Sequence, residues 1–295
     1  ALSQGVVIAF INYLAQILLQ TAVVANLVTI FTRAGAAAQR VGEALAMKPS
    51  VTDGAGAAPD FSAPAVEFSN VSFTYPDGGA PALERIAFSL DAGGTLGVIG
   101  GTGAGKSTLL RLLPRLYDVS SGGVKIFGHD AREYTLSQLR ALIGYVPQKA
   151  GFLRGSIADA LRFGNPDATD AQLWAALETA QAAEFVRKYK DGLDHPLAEG
   201  AANLSGGQKQ RLNIARALVK RPRILLLDDC ASALDYLTDL NLRRAIRRDL
   251  KGVTVLIVSQ RAAAVRASDK ILVLDDGETA GLGTHDELMR DCAVY

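Results

Sequence analysis

Residues 100–107 read GGTGAGKS, and this segment could bind the phosphate groups of a nucleotide. It fits the pattern G-x-x-x-x-G-K-[ST], in which glycines let backbone N–H groups converge on phosphate oxygens. The Lys106 ammonium would face the β- and γ-phosphates, and the Ser107 hydroxyl would bind Mg²⁺. An apolar run, 95–99, precedes the segment, and residues 107–113 can begin a helix whose N-terminus attracts anions. The predicted phosphate loop consists of Gly100, Gly101, Thr102, Gly103, Ala104, Gly105, Lys106, Ser107 and Thr108.

A second segment, which ends in a carboxylate, supports this site. Residues 224–228 read ILLLD, an apolar strand pattern that ends in Asp228. In nucleotide-binding proteins with such a loop, an aspartate at this place holds Mg²⁺. Taken alone, an apolar strand that ends in aspartate is more often structural. Together with the phosphate loop, it indicates a Mg²⁺ ligand.

Residues 203–217 read NLSGGQKQRLNIARA, and with this segment the chain resembles the ATP-binding cassette (ABC) family from about Val66 onward. The resemblance implies a head-to-tail dimer in which each ATP lies between one subunit's phosphate loop and the other subunit's LSGGQ segment. At a helix N-terminus, Ser205, Gly206, Gly207 and Gln208 would contact the γ-phosphate across the interface. One subunit alone is then expected to hold half of each site.

Other positions match the family motifs one by one. Tyr75, in FTYPD, matches the aromatic residue that stacks on adenine, and a packed strand tyrosine is the alternative. Gln148, in YVPQ, matches the glutamine that reaches Mg²⁺ and senses the membrane domain, and a solvated loop glutamine is the alternative. Asp235 ends the SALD segment that links the two sites, and Glu199 resembles a residue that contacts the membrane domain. The resemblance thus implies three Mg²⁺ ligands: Ser107, Gln148 and Asp228.

Two positions depart from the family pattern at the hydrolytic site. Where the family has a glutamate that activates or positions water, this chain has Asp229. Its carboxylate is withdrawn by one methylene, about 1.5 Å, and a misplacement near 1 Å can cost on the order of 10²-fold in rate. The family's switch histidine is replaced by Gln260, which cannot become cationic. The catalytic group would comprise Asp229, Gln260, Lys106 and Gln148, and we expect its hydrolytic activity to be weak.

The elements that must position these residues alternate between strands and helices. Apolar runs at 95–99, 224–227, 254–258 and 271–274, separated by helical patterns, predict an α/β domain with a largely parallel sheet. The resemblance adds that this is a P-loop NTPase domain of the ABC type, with an antiparallel β subdomain and an α-helical subdomain at about 149–212. We predict this nucleotide-binding domain over 65–295 and half-buried alternation over 66–75. A linker rich in Gly, Ala, Pro and Ser covers 48–64.

A membrane-domain fragment, one long transmembrane helix with a cytoplasmic extension, is predicted over residues 1–47. Residues 1–32 carry no charge and are long enough to cross a bilayer, and they lack the basic start of a signal peptide. Arg33, Arg40 and Lys48 follow, so the positive-inside bias places the rest of the chain in the cytoplasm. One helix face carries a polar stripe that would form hydrogen bonds with other helices or face a substrate path: Asn12, Gln16 and Gln20. Residues 2–16 resemble the start of the last transmembrane helix of an exporter, and we expect both chain ends to be cut.

Composition narrows the classes of function. The 295 residues include 31 Lys and Arg against 30 Asp and Glu, and this net charge of +1 argues against a nucleic-acid partner. Two cysteines exclude a disulfide framework.

We expect an ATP- and Mg²⁺-binding ATPase subunit of a membrane exporter, in contact with lipid and paired with a different half-transporter. The sequence does not indicate which substrate is transported. The alternatives to this expected function are an active homodimer, a regulatory subunit with negligible turnover and a soluble cassette protein.

Overall fold

The computed structural model describes residues 3–230 and 232–295 of the chain. Residues 1 and 2 of the uncharged run therefore lie outside the described residues. The backbone divides into two compact units, one up to Ser50 and the other from Val51 to Tyr295. This division falls within the segment that the sequence predicts as a linker.

The first unit is built around one helix, α1 (Gln4–Ala46). Its 43 residues span about 65 Å, and the helix is long and apolar enough to cross a membrane. Threonine hydroxyls are satisfied within the helix, because Thr21 and Thr32 donate to carbonyls four residues earlier over 2.8 and 2.7 Å. The side chains of the predicted polar stripe are exposed and form no hydrogen bond within the described residues. The helix is therefore a candidate membrane span with one polar face.

The second unit contains the remaining elements in the following order. Its strands are β1 (Val66–Phe73), β2 (Leu83–Leu90), β3 (Thr95–Gly100), β4 (Ser121–Ile126), β5 (His129–Asp130), β6 (Ile143–Val146), β7 (Gly155–Ser156), β8 (Pro196–Leu197), β9 (Ile224–Asp228), β10 (Thr254–Val258), β11 (Lys270–Asp275) and β12 (Glu278–Gly283). Its helices are α2 (Lys106–Leu112), α3 (Leu136–Leu142), α4 (Ile157–Arg162), α5 (Asp170–Thr179), α6 (Ala183–Arg187), α7 (Gly206–Val219), α8 (Tyr236–Asp249), α9 (Ala262–Val265) and α10 (His285–Asp291), with 3₁₀ turns at Gly192–Asp194 and Glu199–Ala201.

The central sheet has the strand order β12–β11–β3–β10–β9–β6. Its pairs are parallel except for β11 with β12, which confirms the predicted α/β domain with a largely parallel sheet. The four predicted apolar runs are β3, β9, β10 and β11, each within one residue of its predicted ends. Because the carboxyl ends of parallel strands meet at one edge, the segments that follow β3, β6, β9 and β10 come together there.

A separate antiparallel sheet, with the order β2–β1–β4–β5, forms the antiparallel subdomain that the resemblance implies. Phe68 of β1 stacks on Phe88 of β2 with ring centroids 4.7 Å apart, and both share a core with α2. Strand β1 ends at Phe73, two residues before the predicted end of the alternating run. The physical reason is Pro76, which lacks an amide hydrogen and restricts the residue before it.

Helices α4, α5, α6 and α7 pack around a second core that includes Leu161, Leu177 and Leu212. This region contains the helical subdomain expected at about 149–212. Helix α7 continues without a break to Val219 and contacts β6 of the central sheet. The predicted boundary at residue 212 therefore falls inside a helix that belongs to both parts of the unit.

Candidate functional site

The phosphate loop connects β3 to α2, and two of its glycines have backbones that L-residues rarely adopt. Gly103 and Gly105 have φ angles of 87° and 89°. A Cβ on Gly105 would also lie 2.5 Å from the carbonyl oxygen of Ala82, whereas a Cβ on Gly103 would meet nothing within 4 Å. Gly105 is thus required both by its conformation and by the closeness of the neighbouring backbone.

The Lys106 side chain lies inside this loop with only 8% of its surface exposed. Its ammonium donates hydrogen bonds to the carbonyl of Gly100 over 2.8 Å and to that of Gly101. Burial lowers the pKa of Lys106, while the nearby carboxylates of Asp229 and Asp228 oppose this shift. The loop therefore holds a cation whose charge is compensated only by carbonyl dipoles and by carboxylates that lie farther away. Such a group is suited to an anionic phosphate.

Asp228, at the end of β9, is 2% exposed and is held by two hydroxyl groups. Ser107 Oγ donates to Asp228 Oδ1 over 2.8 Å, and the Tyr145 hydroxyl donates to Asp228 Oδ2 over 3.1 Å. Burial, followed by the Asp228 charge, raises the pKa of Tyr145 to about 12, so Tyr145 remains a donor at physiological pH. The structure thus brings the predicted residues Ser107 and Asp228 together.

The donor set at this point fits Mg²⁺, which prefers oxygen ligands. Ser107 Oγ and the Asp228 carboxylate are adjacent, and the buried carboxylate has no ion-pair partner among the described residues. No cluster of three or more His, Cys, Asp or Glu side chains suited to a metal occurs in the described ranges. Mg²⁺ commonly binds through one or two protein groups together with substrate phosphates and water. Ser107 and Asp228 would hold the ion, which would draw charge from the phosphates when bound.

The structure also brings together Gln148 and Asp229. Gln148 Nε2 donates a hydrogen bond to Asp229 Oδ2 over 3.3 Å. The Asp229 backbone has a φ of 45°, in the left-handed region, and its N–H donates to the carbonyl of Val258 over 3.0 Å. Burial raises the pKa of Asp229 against the opposing hydrogen bond from Gln148, and the charge on Asp228 raises it further. A carboxylate with a raised pKa is suited to accept a proton from water.

Gln260 lies at the same edge of the sheet. It follows β10 by two residues, and β10 pairs with both β3 and β9. Its side chain is exposed and forms no hydrogen bond within the described part of the chain. The topology therefore places Gln260 beside the segments that carry the phosphate loop and Asp228, but without a fixed contact to them.

The LSGGQ segment forms the start of α7. Ser205 is the N-cap residue, and it forms reciprocal hydrogen bonds with Gln208: Gln208 N–H to Ser205 Oγ at 3.3 Å and Ser205 N–H to Gln208 Oε1 at 2.9 Å. Ser205 and Gly206 are exposed, and Gly207 lies against the SALD segment, since an added Cβ would be 3.2 Å from the Ala233 carbonyl. No hydrogen bond joins this helix start to the phosphate loop within residues 3–230 and 232–295.

Asp235 has a clear structural role as the N-cap of α8. Its Oδ1 accepts from the Thr238 N–H over 2.9 Å, and its Oδ2 accepts from the Thr238 hydroxyl over 2.7 Å. These bonds lower the pKa of Asp235. Its predicted place at a nucleotide site stays a prediction.

Tyr75 is half-buried directly behind the phosphate loop. Its ring makes edge contacts with Phe73 and Tyr117 at centroid distances of 4.9 and 5.3 Å. Its hydroxyl lies 2.9 Å from Thr108 Oγ1, and Arg111 donates to it over 3.4 Å. Both the packed tyrosine and the adenine platform are compatible with this position, so its stacking on adenine stays a prediction.

Tyr145, whose hydroxyl donates to one oxygen of Asp228, is a site residue that the motifs did not predict. The residue belongs to the YVPQ segment that also contains Gln148. Its contact arises because β6 pairs with β9 in a register that places Tyr145 opposite Leu226, two residues before Asp228. The signal in the sequence was a hydroxyl-bearing aromatic residue three positions before Gln148.

Comparison with known proteins identifies the relatives of this chain. The family model described as ABC transporter matches residues 83–232. An uncharacterized ABC transporter ATP-binding protein of Mycobacterium tuberculosis is 39% identical over 296 residues, which cover 99% of this chain and 50% of the relative. The β-(1→2)glucan export ATP-binding/permease protein of Rhodopseudomonas palustris is 47% identical over 224 residues, 76% of this chain and 37% of the relative. A multidrug efflux ATP-binding/permease protein of M. tuberculosis is 37% identical over 295 residues, 100% of this chain and 25% of the relative.

A solved structure shows the same architecture. It is a bacterial Atm1-family ABC exporter with ATP bound, with a TM-score of 0.76 and 36% sequence identity over 84% of this chain and 43% of that chain. The chain spans about half the length, or less, of the curated relatives that it matches. On these matches and on the phosphate-loop geometry, the chain belongs to the ABC transporter family.

Proposed function

We propose that this chain is the nucleotide-binding part of one half of an ABC exporter, in which ATP binding and hydrolysis at a dimer interface drive export. The phosphate loop, with Ser107 Oγ bonded to Asp228, supports ATP and Mg²⁺ binding. Helix α1 would lie in lipid, and the positive charges of Arg33 and Arg40 after it support a cytoplasmic position for the nucleotide-binding domain. The relatives named as exporters support the direction of transport.

The chain's own hydrolytic site is proposed to be weak. The observation that carries this is the Gln148–Asp229 contact, in which a carboxylate shorter than glutamate occupies the position next to the Mg²⁺ ligand. For its carboxylate to reach the water beside the γ-phosphate as a glutamate would, the Asp229 side chain would have to be about 1.5 Å longer. The exposed Gln260 supports the same conclusion, because a neutral amide cannot stabilise developing negative charge as a cation does.

The partner is proposed to be a second, different half-transporter. Ser205 and Gly206 are exposed at the start of the 14-residue helix α7, where backbone N–H groups and the helix dipole favour an anion. Their LSGGQ sequence is intact, so they would complete the partner's ATP site. A weak own site combined with an intact LSGGQ segment is useful to a transporter only if the partner's site hydrolyses ATP.

A groove supports mechanical coupling to membrane helices. It has a volume of about 900 Å³ and lies between the central sheet and the helical subdomain. Its lining includes two exposed apolar side chains, Leu153 at 75% and Phe163 at 74%. Pro147 and Gly151, on either side of Gln148, also line it. A membrane-domain segment bound in this groove would contact the residues that flank Gln148, so its movement would change the position of Gln148.

The test compares two variants of this chain in the intact transporter, assembled with its partner in lipid vesicles. Lys106→Ala disables the chain's own phosphate loop, and Ser205→Arg disables the LSGGQ segment that serves the partner's site. We expect Lys106→Ala to keep most of the ATP turnover and Ser205→Arg to abolish it.

Each other outcome points to an alternative. If both variants abolish turnover and the chain is active with a second copy of itself, the protein is a symmetric exporter. If neither variant changes turnover while Lys106→Ala removes ATP binding, the chain is a regulatory subunit.

A further inference from the structure

Two side chains of α7 hold the segment that carries Gln148 at both of its ends. Asn213 is 1% exposed, and its Nδ2 donates to the carbonyl of Pro147 over 3.4 Å. Arg216, one turn further along, donates from Nη1 to the carbonyl of Gly151 over 2.9 Å. Pro147 directly precedes Gln148, and Gly151 follows it by three residues. The helix therefore fixes the backbone on either side of the glutamine.

The two side chains act as one unit. Arg216 Nη2 donates to Asn213 Oδ1 over 2.6 Å, and the guanidinium lies 4.9 Å from the centre of the Phe152 ring. Arg216 has no carboxylate partner among the described residues. Its hydrogen bonds to a carbonyl and an amide thus serve to order the Gln148 segment rather than to form an ion pair.

The other side of the Gln148 contact is fixed independently. Asp229 follows β9, and its N–H donates a hydrogen bond to the Val258 carbonyl of β10 over 3.0 Å. Asn213 and Arg216 contact the backbone beside Gln148, whereas no hydrogen bond joins α7 to Asp229 within the described residues, so a change in these two contacts would act on Gln148 and not directly on Asp229. The distance between Gln148 Nε2 and Asp229 Oδ2 depends on α7, whose first residues are the LSGGQ segment.

We propose that Asn213 and Arg216 are positioning residues that set Gln148 against Asp229 and connect the LSGGQ end of α7 to the chain's own ATP site. The connection between the two sites rests on the proposed function, whereas the positioning of Gln148 does not. Ser205 precedes Asn213 by eight residues, about 12 Å along the helix. A nucleotide bound at the LSGGQ end would thus act on Gln148 through a rigid helix.

The experiment is a double-mutant cycle in the intact transporter, which measures whether Asn213 acts through Gln148. The variants are Asn213→Ala, Gln148→Ala, their combination, and Arg216→Lys, which keeps the charge but loses the paired contacts. The readout is the Mg²⁺ concentration for half-maximal binding of the fluorescent nucleotide TNP-ATP, together with KM and kcat for ATP. Gln210→Ala is the matched control, because Gln210 is an amide on the same helix, 4% exposed, whose Nε2 has no partner within the described ranges.

Because Gln148 is a predicted Mg²⁺ ligand, we expect Asn213→Ala and Arg216→Lys to raise the Mg²⁺ requirement by about tenfold, with affinity for Mg²⁺-free TNP-ATP unchanged. The Asn213→Ala/Gln148→Ala combination should be no worse than Gln148→Ala alone, and Gln210→Ala should match the wild type. The proposal is overturned if the effects of Asn213→Ala and Gln148→Ala on the Mg²⁺ requirement multiply in the combined variant, or if Gln210→Ala raises that requirement equally. It is also overturned if Gln148→Ala leaves the Mg²⁺ requirement unchanged.

Arg216→Lys supplies the test if Asn213→Ala does not fold. Failure of the proposed function is seen separately, because the Lys106→Ala and Ser205→Arg comparison measures turnover of the two sites and leaves this cycle unaffected.

Discussion

Gln148 Nε2 and Asp229 Oδ2 lie 3.3 Å apart where β6 and β9 end side by side. The contact joins a residue of the segment held by α7 to one that is fixed to the sheet. It also shows where the shorter carboxylate ends: Asp229 reaches the glutamine, next to the Ser107–Asp228 pair that would hold Mg²⁺. Lengthening this side chain by one methylene is therefore a direct test of what limits hydrolysis.

The double substitution Asp229→Glu with Gln260→His should raise ATP hydrolysis at this chain's own site. The longer carboxylate recovers about 1.5 Å of reach, and we expect a gain of up to about 10²-fold, because a misplacement near 1 Å can cost that much in rate. The measurement is steady-state ATPase of the transporter assembled with its partner, with the partner's site disabled by Ser205→Arg in this chain.

Asp229→Asn is the matched control for this gain. It keeps an acceptor for the hydrogen bond from Gln148 but removes the charge, so hydrolysis at this site should not rise. An unchanged rate in the double substitution would show that the shortened carboxylate does not limit hydrolysis.

Tyr145→Phe should weaken the Mg²⁺ site without dismantling the domain. It removes the donor to Asp228 Oδ2 at 3.1 Å, a hydrogen bond to a charged group. The free energy of unfolding should fall by about 1–2 kcal/mol, and the Mg²⁺ concentration for half-maximal TNP-ATP binding should rise severalfold. Because the pKa of Tyr145 is about 12, this difference from the wild type should be constant between pH 6 and 9.

Tyr134→Phe is the control for stability alone. The Tyr134 hydroxyl is also buried and donates to the Ile126 carbonyl over 2.7 Å, in the antiparallel sheet. Its loss should reduce stability by a similar amount and leave the Mg²⁺ requirement unchanged. If both variants behave alike towards Mg²⁺, Tyr145 has no special part in holding Asp228.

Cys230 should resist thiol reagents in the folded chain, whereas Cys292 should react. Cys230 is 5% exposed, and burial raises its pKa to about 12, so only about one thiol in 10⁴ is ionised at pH 8. Cys292 is half-buried, with its sulfur 3.6 Å from the Ala280 carbonyl. Maleimide labelling followed by mass spectrometry should find one modified cysteine up to pH 9 and two after denaturation. Equal labelling of both thiols in the native chain would contradict the packed position of Cys230.

The strands of the central sheet could be predicted because buried parallel strands appear as short apolar runs with clear ends. The ends of β3, β9, β10 and β11 differ from prediction by at most one residue. The contact between Tyr145 and Asp228 could not be predicted, since it depends on β6 pairing with β9 and the residues are 83 positions apart in sequence. The reciprocal cap between Ser205 and Gln208 was not predicted, for a different reason. The family motif suggested a role for both residues in binding phosphate, whereas their local geometry also stabilises the helix start.

Substitution of two phosphate-loop glycines should separate backbone strain from steric overlap. Both residues have φ angles near 90°, so alanine at either position costs about 1–2 kcal/mol of strain. Gly105→Ala adds an overlap with the Ala82 carbonyl, 2.5 Å from the new Cβ, and this neighbour is backbone that cannot rotate away. Gly103→Ala meets nothing within 4 Å and serves as the control.

We therefore expect Gly103→Ala to fold with a modestly lowered melting temperature and Gly105→Ala to lose more than about 3 kcal/mol or fail to fold. The measurement is thermal unfolding of the full chain without nucleotide, so that altered phosphate binding does not contribute. Equal melting temperatures for the two variants would mean that the loop relaxes away from Ala82. In that case the close approach of the two backbones would not be what requires glycine at position 105.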